Sequence, residues 1–218
     1  MTSRTSLSGP WRACAVAWAS ISLMSATACS GGGTPTPGSP PAASQTPSGP
    51  ATPSVTPTPT ASYKPADATG KAQNVPVPEL PEAAKAETKE GAMAFASYWF
   101  RLLSYGYESG ELKTLETVTS SACEACEKAK SVIQAWHSEG RWLVGGKIST
   151  PSISTEFTKS AEATYHVVVQ AHQTPLTYVR ADGSIARRDP QPDDTGNLLF
   201  VAFKNGAWSL VDVGRIVA

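Results

Sequence analysis

The chain lacks most of what marks an enzyme or a nucleic-acid binder. Its 18 Lys and Arg balance 18 Asp and Glu, so there is no basic surplus to hold a polyphosphate, and nucleic acid is excluded as a partner class. It has three histidines and no G-x-S-x-G, Walker loop or H-E-x-x-H, so the motifs of serine-hydrolase, P-loop and zincin chemistry are missing. Large apolar side chains are almost absent from residue 30 to Tyr63, which excludes a packed core there. No cofactor is expected, and no catalytic residue is assigned.

What is present begins with an address. Arg4 and Arg12 precede an apolar, small-residue run over 13–28, too short to span a bilayer comfortably. Residues 1–28 therefore read as a signal peptide. Its end, Ala26-Thr27-Ala28-Cys29, followed by Ser30 and three glycines, resembles a bacterial lipobox. There the chain is cut before a cysteine that carries diacylglycerol. Ala26 departs from the leucine usual at that place. The alternative is an ordinary secretory signal that leaves Cys29 free. With Arg4 and Arg12 removed, 16 cations face 18 anions, too small a surplus to dictate a partner. The expected partner is the membrane, reached through the lipid anchor, on the outer face of the cytoplasmic membrane. Residues 29–78 are rich in Pro, Thr, Ser, Ala and Gly and read as a disordered stalk. At about 3.1 Å per residue, roughly 45 such residues reach on the order of 140 Å when fully extended.

Residues 79–218 read as the folded domain. Ala92, Phe95, Trp99, Leu102, Leu103 and Gly106 recur at helical spacing, with Tyr98 and Phe100 beside them. So many aromatics on one helix imply packing on more than one side. Pro81 suits the first turn, although Gly91 allows a short turn over 82–86 and a main helix from about Thr88. A second helix follows, with Ser121 as N-cap, Glu124 reaching back and Gly140 as the stop. Cys123 and Cys126 open it. In an exported chain they read as a disulfide; a redox pair, a zinc site and a reduced pair are the alternatives.

Downstream the period changes to two. Over 160–172, Ala161, Ala163, Tyr165, Val167, Val169 and Ala171 share one face, and Glu162, His166 and Gln170 the other. Strands are expected at 142–153, bent at Gly145-Gly146, at 176–181, and at 198–204 and 207–213 around Asn205-Gly206. Residues 187–196 read as a polar loop. Helices followed by antiparallel strands give an α+β fold, with the helices packed on one face of a curved antiparallel sheet.

Lys89-Glu90-Gly91-Ala92, the Tyr98–Phe100 aromatics, the C-x-x-C, Gly145-Gly146 and Asn205-Gly206-Ala207-Trp208 together resemble an actinobacterial family of lipoprotein domains of unknown function. The resemblance covers about two-thirds of the chain. The order of elements is also similar to the NTF2-like cone, where a curved sheet wraps a long helix. That resemblance implies a pocket between helix and sheet, with Tyr98, Tyr105, Trp136, His166 and Trp208 as candidate lining residues. It also brings in an enzyme reading, since some NTF2-like domains use an Asp–His pair, but no such pair is evident from spacing here. The expected function is a surface-tethered, non-catalytic binding or interaction module for a cell-envelope protein or a small molecule. The alternative is a pocket enzyme acting on a small molecule.

Overall fold

The computed structural model describes residues 61–216. The expected signal peptide, Cys29 and the expected stalk as far as residue 60 lie outside the described residues.

A 3-10 turn, Glu82–Lys85, precedes α1, Lys89–Ser109. The break between them is set by Gly91. A side chain there would strike the carbonyl oxygens of Ala86 and Ala83, so this glycine lets the turn fold against the helix start. Thr88 caps α1, its hydroxyl accepting from the Gly91 N–H, and Gly110 ends it in the left-handed conformation at φ 81°. As the aromatic content implied, α1 is buried on several sides: Phe95, Ala96, Tyr98, Trp99, Phe100, Leu102 and Leu103 are all inside. Then come α2, Lys113–Thr117, and α3, Glu124–His137. The expected capping box is not formed. Cys123 is the N-cap, and its sulfur accepts from the Cys126 N–H. The Cys123 and Cys126 sulfurs lie at disulfide-bonding distance, with the Cα atoms 5.3 Å apart, and the bridge spans the helix's first turn.

Two antiparallel sheets take the place of the single sheet expected. One has four strands in the order β2-β3-β6-β7, with β2 Ile148–Ser154, β3 Tyr165–Gln173, β6 Thr195–Lys204 and β7 Ala207–Ile216. The other is β1-β4-β5, with β1 Trp142–Gly145, β4 Leu176–Val179 and β5 Ile185–Asp189. The sheets meet at a kink. Gly146 N donates to Pro175 O at 3.0 Å and Thr174 N to Lys147 O at 2.9 Å, so hydrogen bonding runs on from one hairpin into the other. Gly145 and Gly146 both have positive φ, and a Cβ on Gly145 would overlap the Pro175 carbonyl. The bend read from this glycine pair is therefore where one sheet turns into the next.

The alternation in β3 holds from Tyr165 to Ala171: odd residues are buried and even ones exposed. Ala161 and Ala163 are not part of it. Residues 160–164 form a turn closed by Ser160 N donating to Thr164 O, and both alanines are exposed. Asn205 and Gly206 both have positive φ and close the β6–β7 hairpin. The expected polar loop is divided: Ile185–Asp189 is β5, an edge strand paired to β4. The large core joins α1 to Val167, Val169, Leu199, Val201 and Leu210. Each such side chain contributes about 1.5–3 kcal/mol of burial. A smaller cluster, Leu143, Leu176 and Tyr178, lies on the three-stranded sheet.

Residues 61–78, assigned to the stalk on composition, are folded against the domain. Lys64 and Gln73 exchange backbone hydrogen bonds of 3.0 and 2.9 Å, Asp67 caps the tip, and the Trp142 indole donates to Asp67 O at 2.8 Å. The proline content that indicated a tether instead shapes a short arm.

Candidate functional site

A groove of small-molecule size lies under that arm, not inside a cone. Arg101, Ser104, Tyr105 and Glu108 recur at the i, i+3, i+4, i+7 spacing that puts them on one stripe of α1. The arm supplies Tyr63, Pro65, Ala66 and Val75 to Pro78, and the sheet kink supplies Gly145, Lys147 and Ile148. Together they enclose about 540 Å³, within the range of small-molecule sites.

Side-chain bonds fix the walls. The Ser104 hydroxyl accepts from Ile148 N at 2.8 Å, tying α1 to β2. The Tyr63 hydroxyl donates to Glu108 Oε1 at 2.5 Å and clasps the arm to α1. That hydrogen bond, joined by partial burial and the Glu108 charge, pushes the Tyr63 phenol up to about 12, so it remains a donor at neutral pH. Arg101 reaches the Glu79 carbonyl at 3.4 Å. What remains for a ligand is mainly apolar: Val75, Pro76, Val77, Pro78, the Tyr105 ring and Ile148.

The five aromatic and histidine candidates do not converge. Tyr105 lines this groove. Tyr98 is buried, with the Arg101 guanidinium 5.7 Å from its ring. Trp208 is a core residue: its indole donates to Ala86 O at 3.1 Å, and its ring meets Phe95, Tyr165 and Phe203. His166 is exposed and sits edge-on to Phe200 at 4.8 Å, in a shallow recess with Phe157 and Leu198. Trp136 is on the far turn of α3, edge-on to Tyr178 at 5.0 Å. The aromatics expected to rim a common pocket are divided between core and separate surfaces, because α1 and the four-stranded sheet use several of them for packing.

A cavity of about 160 Å³ between α1 and the sheet is lined by Phe100, Leu103, Tyr107, Gln173, Pro192 and Asp193 among others. His172 Nδ1 and Asp194 Oδ1, neither of which lines this cavity, are 2.7 Å apart. Spacing could not reveal this pair, since its members are 22 residues apart on different elements. Their side chains are 36% and 42% exposed, which places the contact at the surface and leaves it no low-dielectric interior to work in. His137, the third histidine, is half-buried, its Nε2 is 2.9 Å from Tyr107 O, and burial holds its pKa below the ordinary value.

No curated protein matches the chain. Among solved structures, the intermembrane-space region of the chloroplast protein ARC6 is similar at 13% identity, covering 60% of this chain and 98% of that one with a TM-score of 0.41. Aln2 from a Streptomyces species is similar at 9% identity, covering 63% and 93% with a TM-score of 0.37. A model of a family of unknown function, DUF6318, matches residues 61–214, arm and both sheets included, and the chain belongs to that family.

Proposed function

We propose that the protein is a surface-tethered lipoprotein whose domain binds an uncharged, largely apolar small molecule in the groove between the 61–78 arm and α1. The observation that carries this reading is the groove's construction. A sequence-local arm is clasped over a helical stripe by the Tyr63–Glu108 bond, and its lining is dominated by proline, valine and aromatic surface. The interior supports a binding module over a pocket enzyme, because aromatic and aliphatic side chains fill it. In this reading the two sheets and α1 form an NTF2-like cone closed by its own core, with the binding surface moved outside. The anchor is the diacylglyceryl group on Cys29, which holds the domain at the outer face of the cytoplasmic membrane.

Both halves have a test. Cells expressing wild type or Cys29→Ala are fractionated; wild type stays with the membrane and the variant is released, and equal release of both would end the anchoring proposal. For the groove, octyl glucoside below its micelle threshold is titrated into the labelled chain by NMR. Saturable shifts at Tyr105 and Ile148, weakened in Tyr105→Ala, support the site. Shifts scattered over the surface, or none, overturn it.

A further inference from the structure

A second groove of about 550 Å³ shares no lining residue with the first. Its walls are Val132, Ala135 and Trp136 of α3, Tyr178 of β4, Ala186 and Arg187 of β5, and Arg141 and Arg180. The described chain contains six arginines, and three of them line this one recess. Tyr178 and Arg187 are cross-strand partners in the β4–β5 ladder, which brings the guanidinium over the Tyr178 ring at 3.9 Å. Arg141 lies over the Trp136 ring at 4.8 Å. The two rings are themselves edge to face. Two of the three cations, Arg141 and Arg187, are therefore held over aromatic surface, as planar guanidinium favours.

Their charges are only partly answered. Arg187 pairs with Asp189 through two bonds of 2.9 and 3.0 Å. Arg141 hydrogen-bonds to Ala135 O and Ser138 Oγ, and its nearest carboxylate, Glu139, is 3.9 Å away. Its Nε is buried without a hydrogen-bond partner. Arg180 spends its bonds on neutral acceptors, Ser184 Oγ and Ile185 O, each at 3.3 Å. Asp182 is close enough to Arg180 to interact with it electrostatically without bonding to it, so Arg180 and Arg141 keep their hydrogen bonds on neutral acceptors, beside an apolar strip of Val132, Ala135 and Ala186.

We propose that this groove is a binding site for a small ligand carrying a carboxylate on a flat apolar body. The carboxylate takes the guanidinium donors of Arg141 and Arg180, which fit an oxyanion side-on. The flat body stacks on the outer faces of the guanidinium planes and covers the apolar strip. Its volume suits a small molecule. The site is independent of the proposed arm groove, so either can fail alone.

The test uses 2-naphthoate and its uncharged counterpart 2-naphthamide, titrated into the purified full chain by calorimetry and by NMR of the tryptophan indole N–H groups. The expected result is a saturable shift of the Trp136 indole with 2-naphthoate, weakened by added salt, and at least about tenfold weaker binding of the amide, as loss of a charge-assisted bidentate bond implies. Arg180→Gln and Arg141→Lys each weaken the naphthoate, whereas Arg188→Ala and Tyr105→Ala leave it unchanged. Arg180→Gln removes no ring contact, so it decides the matter should Arg141→Lys loosen α3. Equal affinity for acid and amide, an unmoved Trp136 indole, or an Arg188→Ala loss as large as that of Arg180→Gln overturns the site.

Discussion

The two apolar clusters use similar residues and finish them differently. In the large one, the rings of Phe95, Trp99, Tyr165 and Trp208 are closed over by α1 and four strands, and each is 6% exposed or less. In the small one, Leu143, Leu176 and Tyr178 have three short strands and the end of α3 for cover, and guanidinium groups complete the layer over Trp136 and Tyr178. The first cluster satisfies its apolar surface with more apolar surface and leaves little for a ligand. The second is too thin for that and finishes itself with cations. The largest test of this contrast is Trp99→Ala. Trp99 is buried, and its indole donates to Thr119 Oγ1 at 2.9 Å. The substitution is expected to cost about 3–5 kcal/mol, read as a shift in the urea midpoint. Leu143→Ala, fully buried in the small cluster, should cost less, about 2–3 kcal/mol at the low end for leucine, because its surroundings relax more easily. A larger loss at Leu143 than at Trp99 would reverse the assignment of scaffold and surface.

Legibility in the sequence followed the length of the repeating signal. α1 was readable because its apolar residues recur over about four turns, and β3 because Tyr165 to Ala171 alternate without a break. The Asn205-Gly206 hairpin was readable from two residues, since few other pairs accept positive φ twice in succession. The arm was not readable, because Pro-rich composition reports the lack of a local core and says nothing of a neighbouring surface. Neither was the arginine groove. Arg187 looked like part of a polar loop, yet an edge strand exposes alternate residues, and only the β4 register sets Arg187 beside Tyr178. The cysteine pair was legible as a disulfide, and its sulfurs do lie at bonding distance; the cap was not legible, because a bridged sulfur does the work expected of Ser121.

The cysteine pair and His137 sharpen the comparison at the junction of helix and sheet. Cys123 and Cys126 are buried within the large cluster, but a bond closing so short a loop restricts the unfolded chain little. Reduction should cost less than about 2 kcal/mol, measured as the denaturant midpoint with and without reductant. A loss equal to that of Trp99→Ala would mean the bond, and not the apolar stripe, secures α3. His137 sits where α3 meets Tyr107, and burial lowers its folded pKa. The unfolded chain therefore takes up a proton before the folded one does. This contribution to stability is complete above about pH 6.5 and is lost as pH falls below it toward the folded value. His137→Gln should flatten that part of the acid limb; an unchanged limb would show that His137 is not the group responsible.

The smallest expected effect is at His166, and it tests the face assignment on which the scaffold reading rests. β3 turns Tyr165, Val167 and Val169 toward α1, and its even residues away from it. A slip of one residue would exchange the two sets, so no intermediate assignment exists. His166 is exposed; its ring meets Phe200 edge-on, and its backbone carbonyl, which any residue supplies, accepts the Thr155 hydroxyl. Removing the imidazole takes away an edge contact to a half-buried ring and leaves the Thr155 bond in place. His166→Ala should therefore stay within about 0.5 kcal/mol of wild type, while Val167→Ala, on the buried face and fully covered, costs several times more. A silent Val167→Ala beside an unfolding His166→Ala would put the polar face inside. The sheet's apolar side would then lie open to solvent, and α1 could no longer be the element that fills it.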